Sequence, residues 1–161
     1  MTLTVDTESA VAEVLDRSIR NAFETMLGET LTELPRSSLR PHEGNTGKKC
    51  LTVVVGLSGT LNGTLGMCLS GAAARCWTKG LIDHDSGEID QMVIDAVSEL
   101  GNIVVGGTKS HLEQFELSMG FPSVVRGGVD KLGFNSDMTP VCTAYQLCGE
   151  TVTTLISLSE A

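Results

Sequence analysis

Three side chains able to handle a water molecule or a cation recur at helical spacing in one stretch: Asp95, Glu99 and Asn102. A carboxylate can pair with a cation on a partner. A carboxamide both donates and accepts hydrogen bonds, so it can aim a water molecule without itself becoming charged, as amide side chains do for the attacking water of phosphoryl hydrolysis. At about 100° per residue, with Asp95 set at zero, Glu99 falls near 40°, Asn102 near −20° and Gly106 near 20°. Ile89, Val93, Ala96, Leu100, Ile103, Val104 and Gly107 occupy a separate arc, roughly 80° to 180° on the same wheel. That arc is the expected core face, and the acid–amide stripe points away from it. A solvated helix face carries the same residue types, and spacing alone does not separate the two readings.

Gly101, Gly106 and Gly107 interrupt this helical pattern, each at a cost of about 1 kcal/mol relative to alanine. Gly107 lies on the core arc, where it would let another element pack closely. Gly106 lies on the stripe, where core packing gives it no purpose. A bulky partner approaching that face would give it one, as would a bend or an end of the helix.

The pattern asks for no second acid, so paired-carboxylate glycoside chemistry is not indicated. Five cysteines stand at 50, 68, 76, 142 and 148, none at C-x-x-C spacing, and His42, His84 and His111 are scattered. No metal site and no cofactor of the chain's own is expected from them. A small-ligand or redox protein built on the cysteines is the rival reading, and metal analysis with thiol titration separates it.

The elements that must position the stripe follow from periodicity and breakers. A first helix is expected over residues 6–27, with Ala12, Leu15, Ile19, Ala22, Phe23 and Met26 on one face and Gly28 ending it. A short strand is expected over 30–34 and a loop over 35–49. Residues 50–61 and 64–70 read as a hairpin turning at Asn62-Gly63, a type I′ signal that also matches a glycosylation sequon. A short helix with Trp77 is expected over 71–81. In the acidic loop that follows, which lacks the full calcium-ligand pattern, Asp85 is the expected N-cap, with Glu88 three residues on. The long stripe-bearing helix spans about 87–115. Strands are then expected over 116–119, 123–126, weakly 131–136, and 141–147, the last joined by a Gly149-Glu150 turn to 151–158. The order gives an α+β (mixed α/β) fold, a largely antiparallel sheet covered by helices, in a single domain over residues 1–161.

A formal net charge of −9 argues against nucleic acid and anionic membranes, which call for clustered Lys and Arg. Aromatic residues at 4% provide few platforms for base stacking. The apolar runs are too short to span a bilayer, and Asp6, Glu8 and Glu13 are foreign to a signal peptide, so a cytoplasmic protein is expected.

Asp95-Ala-Val-Ser-Glu99-Leu-Gly-Asn102-Ile-Val-Val-Gly-Gly-Thr-Lys109 resembles the signature of the CheC/CheX/FliY chemotaxis phosphatases: an Asp or Ser, a Glu four residues on, an Asn three further. Phe23-Glu-Thr-Met-Leu-Gly28, Gly56-Leu-Ser-Gly59 with Gly63-Thr-Leu-Gly66, and Pro122-Ser-Val-Val125 with Gly127 resemble its flanking segments. The resemblance runs from about Val11 to the C-terminus. It implies a CheC-like fold with a long active-site helix, and a phosphatase that removes phosphate from the aspartyl phosphate of a CheY-like receiver domain. Carried over, Glu99 contacts a receiver lysine and Asn102 orients the attacking water, with Asp95, Gly106 and Pro122 along the partner's contact and Mg2+ held by the receiver. One such motif, with none around residues 16–21, resembles the CheX branch and implies a homodimer, for which residues 141–158 are the expected pairing edges. A non-catalytic receiver-binding or flagellar-switch module of the same fold is the alternative.

Overall fold

The computed structural model describes residues 5–35, 50–127 and 141–160. The first helix, α1 (Val5–Leu27), buries Leu15, Ile19, Ala22 and Phe23 of the expected stripe, together with Val11 and Val14, not expected on it, while Ala12 is half-buried. Met26, expected on that face, is exposed. Gly28 ends α1 in a left-handed backbone (φ 68°) and donates its N–H to the Glu24 carbonyl; a residue without Cβ takes this conformation at no steric cost.

A two-residue strand, β1 (Thr32–Glu33), follows. Then come β2 (Cys50–Gly59), β3 (Leu61–Ser70), helix α2 (Gly71–Ile82), helix α3 (Gln91–Leu112), a 3-10 turn over Glu113–Phe115, β4 (Leu117–Met119), β5 (Ser123–Arg126), β6 (Val141–Leu147) and β7 (Glu150–Glu160). The strands form one antiparallel sheet in the order β1-β6-β7-β3-β2-β4, with β5 also on β2. Both β4 and β5 lie on the same strand, β4 against residues 57–59 and β5 against residues 51–54. The expected α+β architecture is the one observed. Residues 36–49 and 131–136, expected as loop and weak strand, lie outside the described residues.

Alternation decides which strand face meets the helices. Leu51, Val53, Val55 and Leu57 of β2, with Leu65, Met67 and Leu69 of β3 and Val152, Ile156 and Leu158 of β7, join the helices in one core. Cys50, Cys68 and Leu155 form a second, small cluster with Cys142 at its edge.

Three local expectations are corrected. The hairpin does not turn at Asn62-Gly63. Leu57 pairs with Gly63, so the tip is at Thr60 and both residues belong to β3. Gly63 is there because β7 presses close: a Cβ on it would stand 2.1 Å from the Ser157 carbonyl oxygen. The last hairpin turns at Cys148-Gly149, both at positive φ (51° and 77°), which is the type I′ pattern, and Glu150 already pairs with Leu147. Finally, β7 is no free edge. It lies between β6 and β3, and β1 covers β6 at Tyr145 and Gln146. Of β6, β1 pairs only Tyr145 and Gln146, so among the described residues the outer edge of 141–144 has no ladder partner in β1.

Candidate active-site helix

The stripe helix α3 starts four residues later than its pattern suggests, because Asp90, not Asp85, is its N-cap. One Asp90 carboxylate oxygen accepts from the Val93 N–H at 3.1 Å, and the other meets Ser86 Oγ and His84 Nε2, each at 2.7 Å. Hydrogen bonds from Ser86 and His84 hold the Asp90 carboxyl down at about 2. Asp85 instead closes a local turn by accepting from the Gly87 N–H. Acidic residues at both positions made the two caps indistinguishable by type; only the fold decides between them.

Two contacts then fix α3 on the body of the protein. The Trp77 indole N–H of α2 donates to the Ala96 carbonyl at 2.7 Å, while its ring meets Phe23 of α1 edge-on at 5.1 Å. On the sheet side Gly101 lets α3 settle: a Cβ there would stand 2.8 Å from Val53 Cγ1 and 3.1 Å from Pro122 Cβ. The buried face is Val93, Ala96, Val97, Leu100, Gly101, Val104, Thr108 and Leu112. Of the residues expected on it, Ile103 is half-buried and Ile89 lies before the helix. Gly107 is exposed, and a Cβ on it would only reach ordinary contact with Ser18 of α1, 3.4 Å from its Oγ.

Asp95, Glu99, Asn102 and Gly106 are all exposed on the opposite side. Asp95 accepts a hydrogen bond from Gln91 Nε2 at 2.9 Å. Among the described residues, Glu99 and Asn102 have no hydrogen bond or ion pair with any other side chain. Among the described residues nothing stands within 4 Å of a Cβ built on Gly106, so no contact among them accounts for that glycine. The half-buried Pro122 packs beside Gly101, next to Asn102 in the chain. Its neighbour Phe121 is 95% exposed. Sequence reasoning passed over Phe121, although an aromatic residue between Gly120 and Pro122, in a turn with no apolar periodicity, has no core face to join.

What this arrangement can do is limited and specific. A carboxylate and an amide one helical turn apart, on a rigid support, can grip a cation and aim a water molecule on whatever docks there. Among the described residues no group of three or more His, Cys, Asp or Glu side chains is placed to hold a metal ion. Burial pushes the Cys142 thiol up, and burial together with the neighbouring Cys148 pushes Cys76 up to about 12, so both stay protonated at neutral pH. No described helix is long and apolar enough to cross a membrane.

The family model for chemotaxis phosphatase CheX matches residues 51–146, and the chain belongs to that family. No curated protein sequence matches the chain. Among solved structures it is similar to chemotaxis protein CheX from Vibrio vulnificus, with a TM-score of 0.77 and 17% identity over 92% of this chain and 96% of that one. A CheC-like superfamily protein from Shewanella sp. PV-4 superposes with a TM-score of 0.76 and 21% identity over 99% of each chain. A chain of the CheX–CheY–BeF3–Mg2+ complex from Borrelia burgdorferi gives 0.74 and 19% over 93% of this chain and 98% of that one. At these identities the likeness to the solved structures is one of fold.

Proposed function

We propose that this chain is a phosphatase for the phosphorylated aspartate of a CheY-like receiver domain, with Glu99 and Asn102 as its working residues. The observation that carries the reading is the outward stripe itself. Glu99 and Asn102 stand exposed on a helix that Trp77 and Gly101 hold in place, and among the described residues neither is engaged by another side chain. Membership of the CheX family supports the chemistry, and the neighbour complexed with CheY, BeF3 and Mg2+ supports the partner.

In this reading Glu99 pairs with a lysine of the receiver and sets the approach. Asn102 enters the receiver's site and holds a water molecule in line with the phosphorus. The new bond forms between water oxygen and phosphorus as the phosphorus–acyl oxygen bond breaks. The aspartate leaves as carboxylate, and the proton from water is taken up by phosphate or solvent. Positioning and charge neutralisation supply the rate in phosphoryl transfer, so an amide suffices and no covalent intermediate on this chain is called for. Mg2+ is the receiver's own ion in this scheme. Asp95, Gly106 and Pro122 line the approach, and the chain works in the cytoplasm as a homodimer.

The test is loss of phosphate from radiolabelled phosphorylated receivers with and without the purified chain. Acceleration is expected, and Asn102→Ala is expected to lose at least about a hundredfold of it with its melting temperature unchanged. Receiver binding without any acceleration would instead support the non-catalytic module.

A further inference from the structure

Beside the stripe, α2 and α3 leave a groove of about 310 Å³ lined by Leu81, Ile82, Met92, Asp95, Ala96 and Glu99. Two of its walls are large apolar side chains open to solvent: Ile82 is 46% exposed and Met92 47%. Ile82 ends α2, where Asp83 turns the chain away in a left-handed backbone (φ 53°). Met92 stands in the first turn of α3. Met92, Asp95, Ala96 and Glu99 follow at i, i+3, i+4 and i+7, so they share one face of the helix.

Single exposed apolar residues are ordinary on a protein surface, but a concave apolar patch rimmed by charge is a mark of a contact site. The rim charges are both negative. Among the described residues, Glu99 has no cation of this chain, and Asp95 has only the Gln91 amide. A purely apolar occupant would leave two carboxylates partly desolvated without compensation. An isolated cation would gain nothing from Ile82 and Met92. The lining therefore asks for an occupant with both features. Met92 and Glu99 are seven positions apart on the helix, a rise of about 10 Å.

We propose that this groove is the receiver's second foothold, taking an apolar side chain that stands within about 10 Å of the receiver lysine paired with Glu99. This rests on the phosphatase reading and adds a direction and a selector to it. The groove lies toward the N-terminal end of α3 from Asn102, and Gly106 toward the other end. The receiver therefore lies along α3 with its phosphorylated aspartate over Asn102 and its apolar anchor over Ile82 and Met92. Receivers lacking the anchor are turned over with a higher KM.

Ile82→Glu and Met92→Glu, made in the full chain, test this. Val125→Glu, at an exposed apolar position on β5, is the control. Steady-state dephosphorylation is measured alongside binding of the same receiver loaded with Mg2+ and beryllofluoride. Each groove variant is expected to raise KM and Kd roughly tenfold with kcat within twofold, while Val125→Glu matches the parent chain. Should a glutamate variant lose its helical circular dichroism, Ile82→Ser and Met92→Ser carry the same expectation. Wild-type KM and Kd in the groove variants, in a chain whose turnover Asn102→Ala abolishes, would overturn the groove and leave the phosphatase intact. Full turnover in Asn102→Ala would overturn the phosphatase reading itself.

Discussion

Helices α1 and α3 both carry acidic and amide residues away from their apolar faces, yet they use them in opposite ways. On α1, Asp16 accepts from Arg20 Nε at 3.0 and 3.1 Å and from the Tyr145 hydroxyl at 2.5 Å, while Arg20 also donates to the Leu31 carbonyl and to Glu33 and lies over the Tyr145 ring. Burial and the Asp16 carboxylate raise the Tyr145 hydroxyl well above the usual phenol range. Every charge in that cluster is answered within the chain, and the cluster ties α1 to β1 and β6. On α3, Glu99 and Asn102 are answered by no other side chain among the described residues. Polar residues satisfied internally build the frame; the ones left outward on a rigid frame are available to a partner.

Breaking each side of this contrast should cost different things. Glu99→Ala should weaken engagement of the phosphorylated receiver by about tenfold or more, because a lysine on the partner loses its counter-charge. Receiver titrations check this, and the melting temperature should not move. Asp16→Ala should do the reverse, lowering unfolding free energy by about 2 kcal/mol as the buried Tyr145 hydroxyl loses its acceptor, with kcat/KM unaltered; urea unfolding beside the phosphatase assay separates the two. Gly106→Ala sharpens the contrast within one residue. It should stabilise the isolated chain by up to about 1 kcal/mol, since the position is helical and open, yet slow receiver turnover if a partner closes on it. The smallest effect is expected at the cap. Asp90 has a folded pKa below its unfolded value, so its contribution is present above about pH 4 and fades as pH falls toward 2. Asp90→Ala should lower the melting temperature by roughly 2–4 °C at pH 7, and the gap to the parent should narrow on acidification in this window.

Much of this is legible in the sequence. The α1 stripe and the separation of Asp95, Glu99 and Asn102 from the core arc depend on helical period, which local sequence carries. What escaped is what distant segments decide. Asn62-Gly63 is a strong turn signal, but the approach of β7, almost a hundred residues on, is what requires Gly63. Gly101 shows no reason in its own helix; Val53 and Pro122 supply it. Asp85 and Asp90 carry equal capping chemistry, and the loop geometry chooses. The groove by Glu99 is made by the ends of two helices, so no single window of sequence could show it, although Met92 sits at about 60° on the wheel, between stripe and core.

The Trp77–Ala96 bond has one more consequence. Trp77 is the only tryptophan in the chain, and it is buried where α1, α2 and α3 meet. Its emission is therefore a native fluorescent gauge of whether the stripe helix is seated. A red shift on loosening α3 would report the seating of the working helix without a label, and would follow its unfolding.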